Sequence, residues 1–127
     1  MNPKRILIVD DDPDFVLAVR MILEGEGYLV EEAANGAEAL ARMRANLPDL
    51  ALMDVMMATP LDGYHTTLEI ADDPQLRKVP IVMISVIENT HYVSSFPTDQ
   101  DLPIMDFIHK PIEPETFVAK VRALLKS

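Results

Sequence analysis

The sequence predicts an α/β fold around a five-stranded parallel sheet, and three observations predict it. Short apolar runs alternate with stretches of helical periodicity five times along the chain, the pattern of repeated βαβ units. The runs Ile6-Leu7-Ile8-Val9, Leu50-Ala51-Leu52-Met53 and Ile81-Val82-Met83-Ile84 are unbroken, as in strands buried on both faces. Each gives way at once to a polar residue: Asp10, Asp54 and Ser85 respectively. Right-handed crossovers leave few ways to arrange five such units, and a doubly wound, flavodoxin-like sheet of order 2-1-3-4-5 is favoured.

The first strand is Arg5 to Val9. The first helix follows, with Asp12 as N-cap and Pro13 in the first helical position, where a missing N–H costs nothing. Phe15, Val16, Val19, Ile22 and Leu23 recur at helical spacing, and Gly27 supplies the stop. Tyr28 to Ala33 is the second strand. Asn35 with Glu38 forms a capping box for a second helix, whose inward stripe is expected to include Ala37, Leu40, Ala41 and Met43. Leu50 to Met53 is the third strand, and the third helix begins near Asp62-Gly63 and stops before Pro74. The fourth strand follows Pro80. From Val86 to Pro103, residues such as Asn89, Thr90, Pro97 and Pro103 oppose a long helix, so an irregular or shortened fourth helix is expected. Met105 to His109 is the fifth strand. An amphipathic helix over Pro114 to Lys126 closes the chain, with Phe117, Val118, Val121, Leu124 and Leu125 inward.

With 127 residues, 49% of them apolar, the chain supports one core, hence a single domain over 1–127. A net charge of −10 argues against direct nucleic-acid binding, which demands clustered Lys and Arg. Cysteine is absent, so neither disulfides nor thiol chemistry enter. The N-terminal apolar run is too short for a signal peptide or a membrane span, and the expectation is a cytoplasmic protein.

Strand ends in a parallel α/β sheet line up at one edge, where ligands bind. Asp10, Asp11 and Asp54 would then share one small site. Like charges roughly 6 Å apart repel by about 3 kcal/mol at an effective dielectric near 20, so such a cluster calls for a cation or for protonation. Oxygen-only ligation with room for water and a phosphoryl group suits Mg²⁺. The fifth run leads through Phe107-Ile108-His109 into Lys110-Pro111, which brings an ammonium to the same edge.

Four motifs in order, the acidic pair after the first strand, Asp54 after the third, Ser85 after the fourth and Lys110-Pro111 after the fifth, resemble the receiver domain of two-component response regulators, chemotaxis-type single-domain receivers included. The resemblance covers nearly the whole chain. It implies that Asp54 accepts a phosphoryl group from a phosphohistidine on a sensor histidine kinase or phosphotransfer protein. It further implies that Asp10, Asp11, Asp54 and the main-chain carbonyl of Met56 hold Mg²⁺, and that Lys110 and the Ser85 hydroxyl contact the phosphoryl oxygens. Phe107 matches the family's aromatic switch position, and the resemblance implies a cis peptide before Pro111. Such a chain is a signalling phosphoacceptor and not a classical enzyme; its phosphorylated form alters affinity for a downstream protein.

The chain departs from the family pattern in places. The Asp54–Gly63 segment is one residue longer than usual, with the proline displaced to Pro60. The interval from Ser85 to Lys110 is a few residues long, and a loop exposing Tyr92 or Phe96 is expected within it. Val86 is bulkier than the family's usual small residue. Met56 and Ile87, both apolar, stand where the family modulates hydrolysis, so a comparatively long-lived acyl phosphate is expected. The blander readings are a salt-bridged acidic cluster, a core Phe107 and a buried Ser85 hydroxyl. His65, His91 and His109 form no metal-binding pattern. The rival of a different class is a pseudo-receiver, an interaction module that signals without phosphate.

Overall fold

A computed structural model describes residues 3–55, 62–86 and 104–125. The apolar runs form the strands β1 (Arg5–Val9), β3 (Leu50–Asp54) and β4 (Ile81–Val86), joined by β2 (Leu29–Ala33) and β5 (Ile104–Lys110). All five pair in parallel in the order β2-β1-β3-β4-β5, as expected. Alternating side chains feed two separate cores. Leu7, Val9, Ala51, Met53, Ile81 and Met83 point to one face, and Ile6, Ile8, Leu50, Leu52, Val82 and Ile84 to the other.

Helix α1 (Pro13–Gly25) covers the second of these faces with Val16, Val19 and Leu23, together with Phe117 and Val121 of the closing helix Pro114–Leu125. Helices α2 (Gly36–Ala45) and α3 (Asp62–Ala71) lie on the other, where Leu40, Met43 and Ile70 are buried. Among the described residues no helix is long and apolar enough to cross a membrane.

The caps follow the sequence. The Asp12 carboxylate accepts from the N–H groups of Asp14 and Phe15, at 3.0 and 3.3 Å. Asn35 accepts from Glu38 N–H at 2.9 Å, while the Glu38 carboxylate reaches back to the N–H of Ala34. Helix α1 ends in a Schellman motif: Tyr28 N–H donates to Leu23 O, Gly27 N–H donates to Glu24 O, and Gly27 takes φ +93°. That closure uses the Tyr28 N–H, so β2 begins at Leu29 and not at the expected Tyr28.

Other boundaries shift by one residue. Asp54 pairs with Ile84 and extends β3, and β5 gains Ile104 and Lys110 at its ends. The expected inward stripe of α2 needs correction: Ala37 and Ala41 are exposed, and Ala39 is the buried alanine beside Leu40 and Met43. Phe15, Ile22, Leu124 and Leu125 are half-buried and pack against the second core, and Val118 is half-buried. The expectations for the fourth helix, Pro97, Pro103, Tyr92 and Phe96, and those for Met56, Pro60 and Ile87, fall outside the described residues.

Candidate functional site at the carboxyl edge of the sheet

The β1–β3 register sets Val9 opposite Met53, so the next residues, Asp10 and Asp54, emerge side by side at the sheet's carboxyl edge. Asp10 is 3% exposed and Asp54 5%, while Asp11 is exposed. One carboxylate oxygen from each of the three lies within 4.8 Å of the others. Asp10 is fixed from both ends. Its N–H donates to Ala33 O at 3.0 Å, and its Oδ1 accepts from Asp12 N–H at 2.9 Å, an Asx turn that also aims the α1 N-cap.

Lys110 arrives from the end of β5. Its Nζ lies 3.0 Å from Asp10 Oδ2 and 3.6 Å from Asp54 Oδ2, with only 17% of the side chain exposed. At these separations each attraction is of order 4–6 kcal/mol at an effective dielectric near 20, before the cost of desolvating the ammonium. The ammonium also stands 4.2 Å from the centroid of the Phe15 ring. The Lys110–Pro111 peptide is cis, as the resemblance implied. Beside the cluster opens a cavity of about 410 Å³, whose lining includes Asp10, Asp11, Glu32, Glu38 and Arg42.

The donor set fits a hard divalent cation. Every side-chain donor is a carboxylate oxygen, and three carboxylates against one ammonium leave two negative charges, the charge of one Mg²⁺. The four sequence-expected groups Asp10, Asp11, Asp54 and Lys110 are therefore brought together. Ser85 pairs with His109 across β4 and β5, one step before the Val86–Lys110 pair. Phe107 is half-buried against the core beside Met83, with its N–H bound to Asp106 Oδ1 at 2.8 Å.

Two residues carry more of the site than sequence reasoning gave them. Phe15 counts in the sequence only as one of the apolar residues at helical spacing in α1, yet its ring also lies against Lys110. The sequence marks Gly63 only as a helix start, yet a Cβ built there falls 2.0 Å from the carbonyl oxygen of Asp54. The signal for Phe15 was its place in the first turn of α1, directly after the acidic pair. Nothing local marked Gly63.

The chain is similar to known proteins in sequence and in fold. Over 127 residues the chain is 37% identical to the transcriptional regulatory protein ResD of Bacillus subtilis, covering 98% of this chain but 49% of ResD. It thus spans about half the length of that relative. Protein PilH of Pseudomonas aeruginosa is 30% identical over 125 residues, covering 95% of this chain and 97% of PilH. The crystal structure of the receiver domain of NtrX from Brucella abortus superposes with a TM-score of 0.81 at 31% identity, covering 96% of this chain and 98% of that one. Residues 6–122 match the family described as the response regulator receiver domain, and the chain belongs to that family.

Proposed function

We propose that this chain is the phosphoacceptor of a two-component relay, in which Asp54 takes a phosphoryl group from a phosphohistidine donor and the product changes affinity for a downstream protein. The observation that carries this reading is the position of Lys110 Nζ, 3.0 Å from Asp10 and 3.6 Å from Asp54, where three carboxylates converge. Receiver domains partner with histidine kinases, so a sensor histidine kinase or a phosphotransfer protein is the proposed donor.

Asp10, Asp11 and Asp54 would hold Mg²⁺, with the main-chain carbonyl of Met56 proposed as a further ligand. Bound there, the ion supplies positive charge to the phosphoryl oxygens and offsets carboxylate repulsion. The chain's own groups do the rest. An Asp54 carboxylate oxygen forms the new bond to phosphorus as the donor's P–N bond breaks. The electron pair leaves on the imidazole nitrogen, which takes a proton from water. Lys110, held by Asp10, donates to the phosphoryl oxygens as charge shifts across them. The Ser85 hydroxyl is the proposed second donor. The bound phosphoryl group carries roughly −1.5 to −2 of charge where the Asp54 carboxylate carried −1, and Phe107 is proposed to repack behind Ser85 as the phosphoryl oxygens are bound.

The reading is tested by incubating the chain with Mg²⁺ and acetyl phosphate and weighing the intact protein. The native chain is expected to gain one phosphoryl group and Asp54→Asn none. No gain on either would overturn the proposal in favour of a module that signals without phosphate.

A further inference from the structure

Lys110 is caged on three sides, and one side is not a charge. Asp10 and Asp54 approach its ammonium at 3.0 and 3.6 Å, and the Phe15 ring lies beneath it with its centroid 4.2 Å away. Phe15 and Lys110 are 95 positions apart in the chain, so the contact is made by the fold and not by local sequence. Phe15 is held at its backbone and packed at its side chain. Phe15 N–H is held by the Asp12 cap, and the side chain packs at the margin of the core formed by Ile6, Ile8, Val16 and Val19.

We infer that Phe15 is a positioning residue for Lys110 in the proposed phosphoryl transfer, an inference that rests on the phosphoacceptor reading above. A carboxylate holds an ammonium by accepting its hydrogen bonds, and every N–H so engaged must be released before it can donate to a phosphoryl oxygen. An aromatic face holds the same ammonium through the ring quadrupole, without a directional acceptor. The ring therefore keeps Lys110 near Asp54 while leaving its donors exchangeable. It adds no negative charge to a cluster that already has three carboxylates. An aliphatic side chain in its place would fill the space and desolvate the ammonium, with nothing returned to it. Lys110 would then spend more of its time in rotamers away from Asp54.

The test compares Phe15→Leu, which keeps apolar bulk, with Phe15→Tyr, which keeps the ring. Two measurements are made on each: the rate of labelling by acetyl phosphate at saturating Mg²⁺, and the NMR shift of the Lys110 Cε protons, assigned with Lys110→Arg. In the native chain those protons should lie upfield through the ring current. Phe15→Leu should lose the upfield shift and label about three- to tenfold more slowly, the range expected from a partly buried cation–π contact. Phe15→Tyr should retain the shift and label within about twofold of the native rate. A native chain that labels but shows no upfield shift at Lys110 overturns the inference, as does Phe15→Leu labelling at the native rate. A native chain that takes no label while Lys110 keeps its shift overturns the phosphoacceptor reading instead, and with it the role in transfer but not the contact. The native spectrum decides the contact even if Phe15→Leu fails to fold.

Discussion

Alanine at position 63 would set a methyl group against the backbone that carries the phosphoacceptor. A Cβ built on Gly63 meets the Asp54 carbonyl oxygen at 2.0 Å, the Asp54 carbonyl carbon at 2.8 Å and Val55 Cα at 2.9 Å. Real Cβ contacts essentially never fall under 3.0 Å, so α3 and the end of β3 must part by about 1 Å. All three neighbours are main-chain atoms, so no side chain can swing aside. Overpacking of this kind costs about 1–3 kcal/mol, and the Gly63 N–H bond to Val55 O, now 2.9 Å, is strained as well, adding about 1 kcal/mol. The expected loss is about 2–4 kcal/mol, read as a fall of roughly 1–2 M in the urea midpoint. Because the displaced atoms belong to residue 54, labelling by acetyl phosphate should also drop, by up to about a hundredfold for a 1 Å misplacement. Gly27→Ala is the control. That glycine has φ +93° and nothing within 4 Å of its Cβ, so the same methyl costs about 1–2 kcal/mol of backbone strain and leaves labelling untouched. Gly63→Ala that unfolds within 0.5 kcal/mol of native, on the scale of an ordinary surface substitution, and labels at the native rate would refute the steric argument.

Two further outcomes are expected. Mg²⁺ should raise the thermal midpoint of the native chain, with stabilisation of about 2.7 kcal/mol at a hundred times the dissociation constant. Asp11→Asn, at an exposed carboxylate, should leave the metal-free midpoint nearly unchanged and shrink that rise; a native-sized rise in the variant would remove Asp11 from the metal site. Glu32 and Glu24 raise the Arg20 pKa above its ordinary value by hydrogen bonding across α1 and β2. A pKa raised on folding contributes stability below the unfolded value and loses it only as pH climbs through the folded one, both here strongly alkaline. Arg20→Met should therefore cost no more than about 1 kcal/mol, as exposed pairs do, with no fall in Arg20's contribution between pH 7 and 10 in urea melts.

The sheet was legible because a strand buried on both faces must be apolar throughout, and the polar residue that breaks each run marks the edge. That logic brought Asp10, Asp11 and Asp54 to one edge, whereas Lys110 follows a fifth run that is not apolar throughout and is expected there from its Lys-Pro motif. Helix α2 was harder because alanine carries little facial information. Leu40 and Met43 set the inward direction, and at 100° per residue Ala41 lies about 130° from it while Ala39 lies about 70° away, in line with the burial of Ala39 and the exposure of Ala41. What periodicity could not give was rotamer and approach. The reach of Lys110 over the Phe15 ring and the contact of Gly63 with the Asp54 backbone depend on how elements distant in sequence settle against one another.

One residue decides on which side of the sheet Lys110 arrives. Asp10 continues the alternation of Ile6 and Ile8, and Asp54 that of Leu50 and Leu52, so both follow the phase of the face covered by α1. In β5 the phase breaks. Ile81 pairs with Ile104 but Val82 pairs with Asp106, leaving Met105 as an extra residue, 60% exposed. Ile104 and Phe107, three apart, consequently pack on one face, and Ile108 packs on the other with Val82 and Ile84. Without the bulge Ser85 would pair with Ile108, and Lys110 would follow the opposite phase, toward α2 and α3 and away from Phe15. It would also lie about 3.3 Å further beyond the end of β4. Bulges are rare in parallel sheets and cluster near functional sites. Here the irregularity brings an ammonium to the side of the sheet on which the two buried carboxylates already lie, which a regular strand with this sequence would not do.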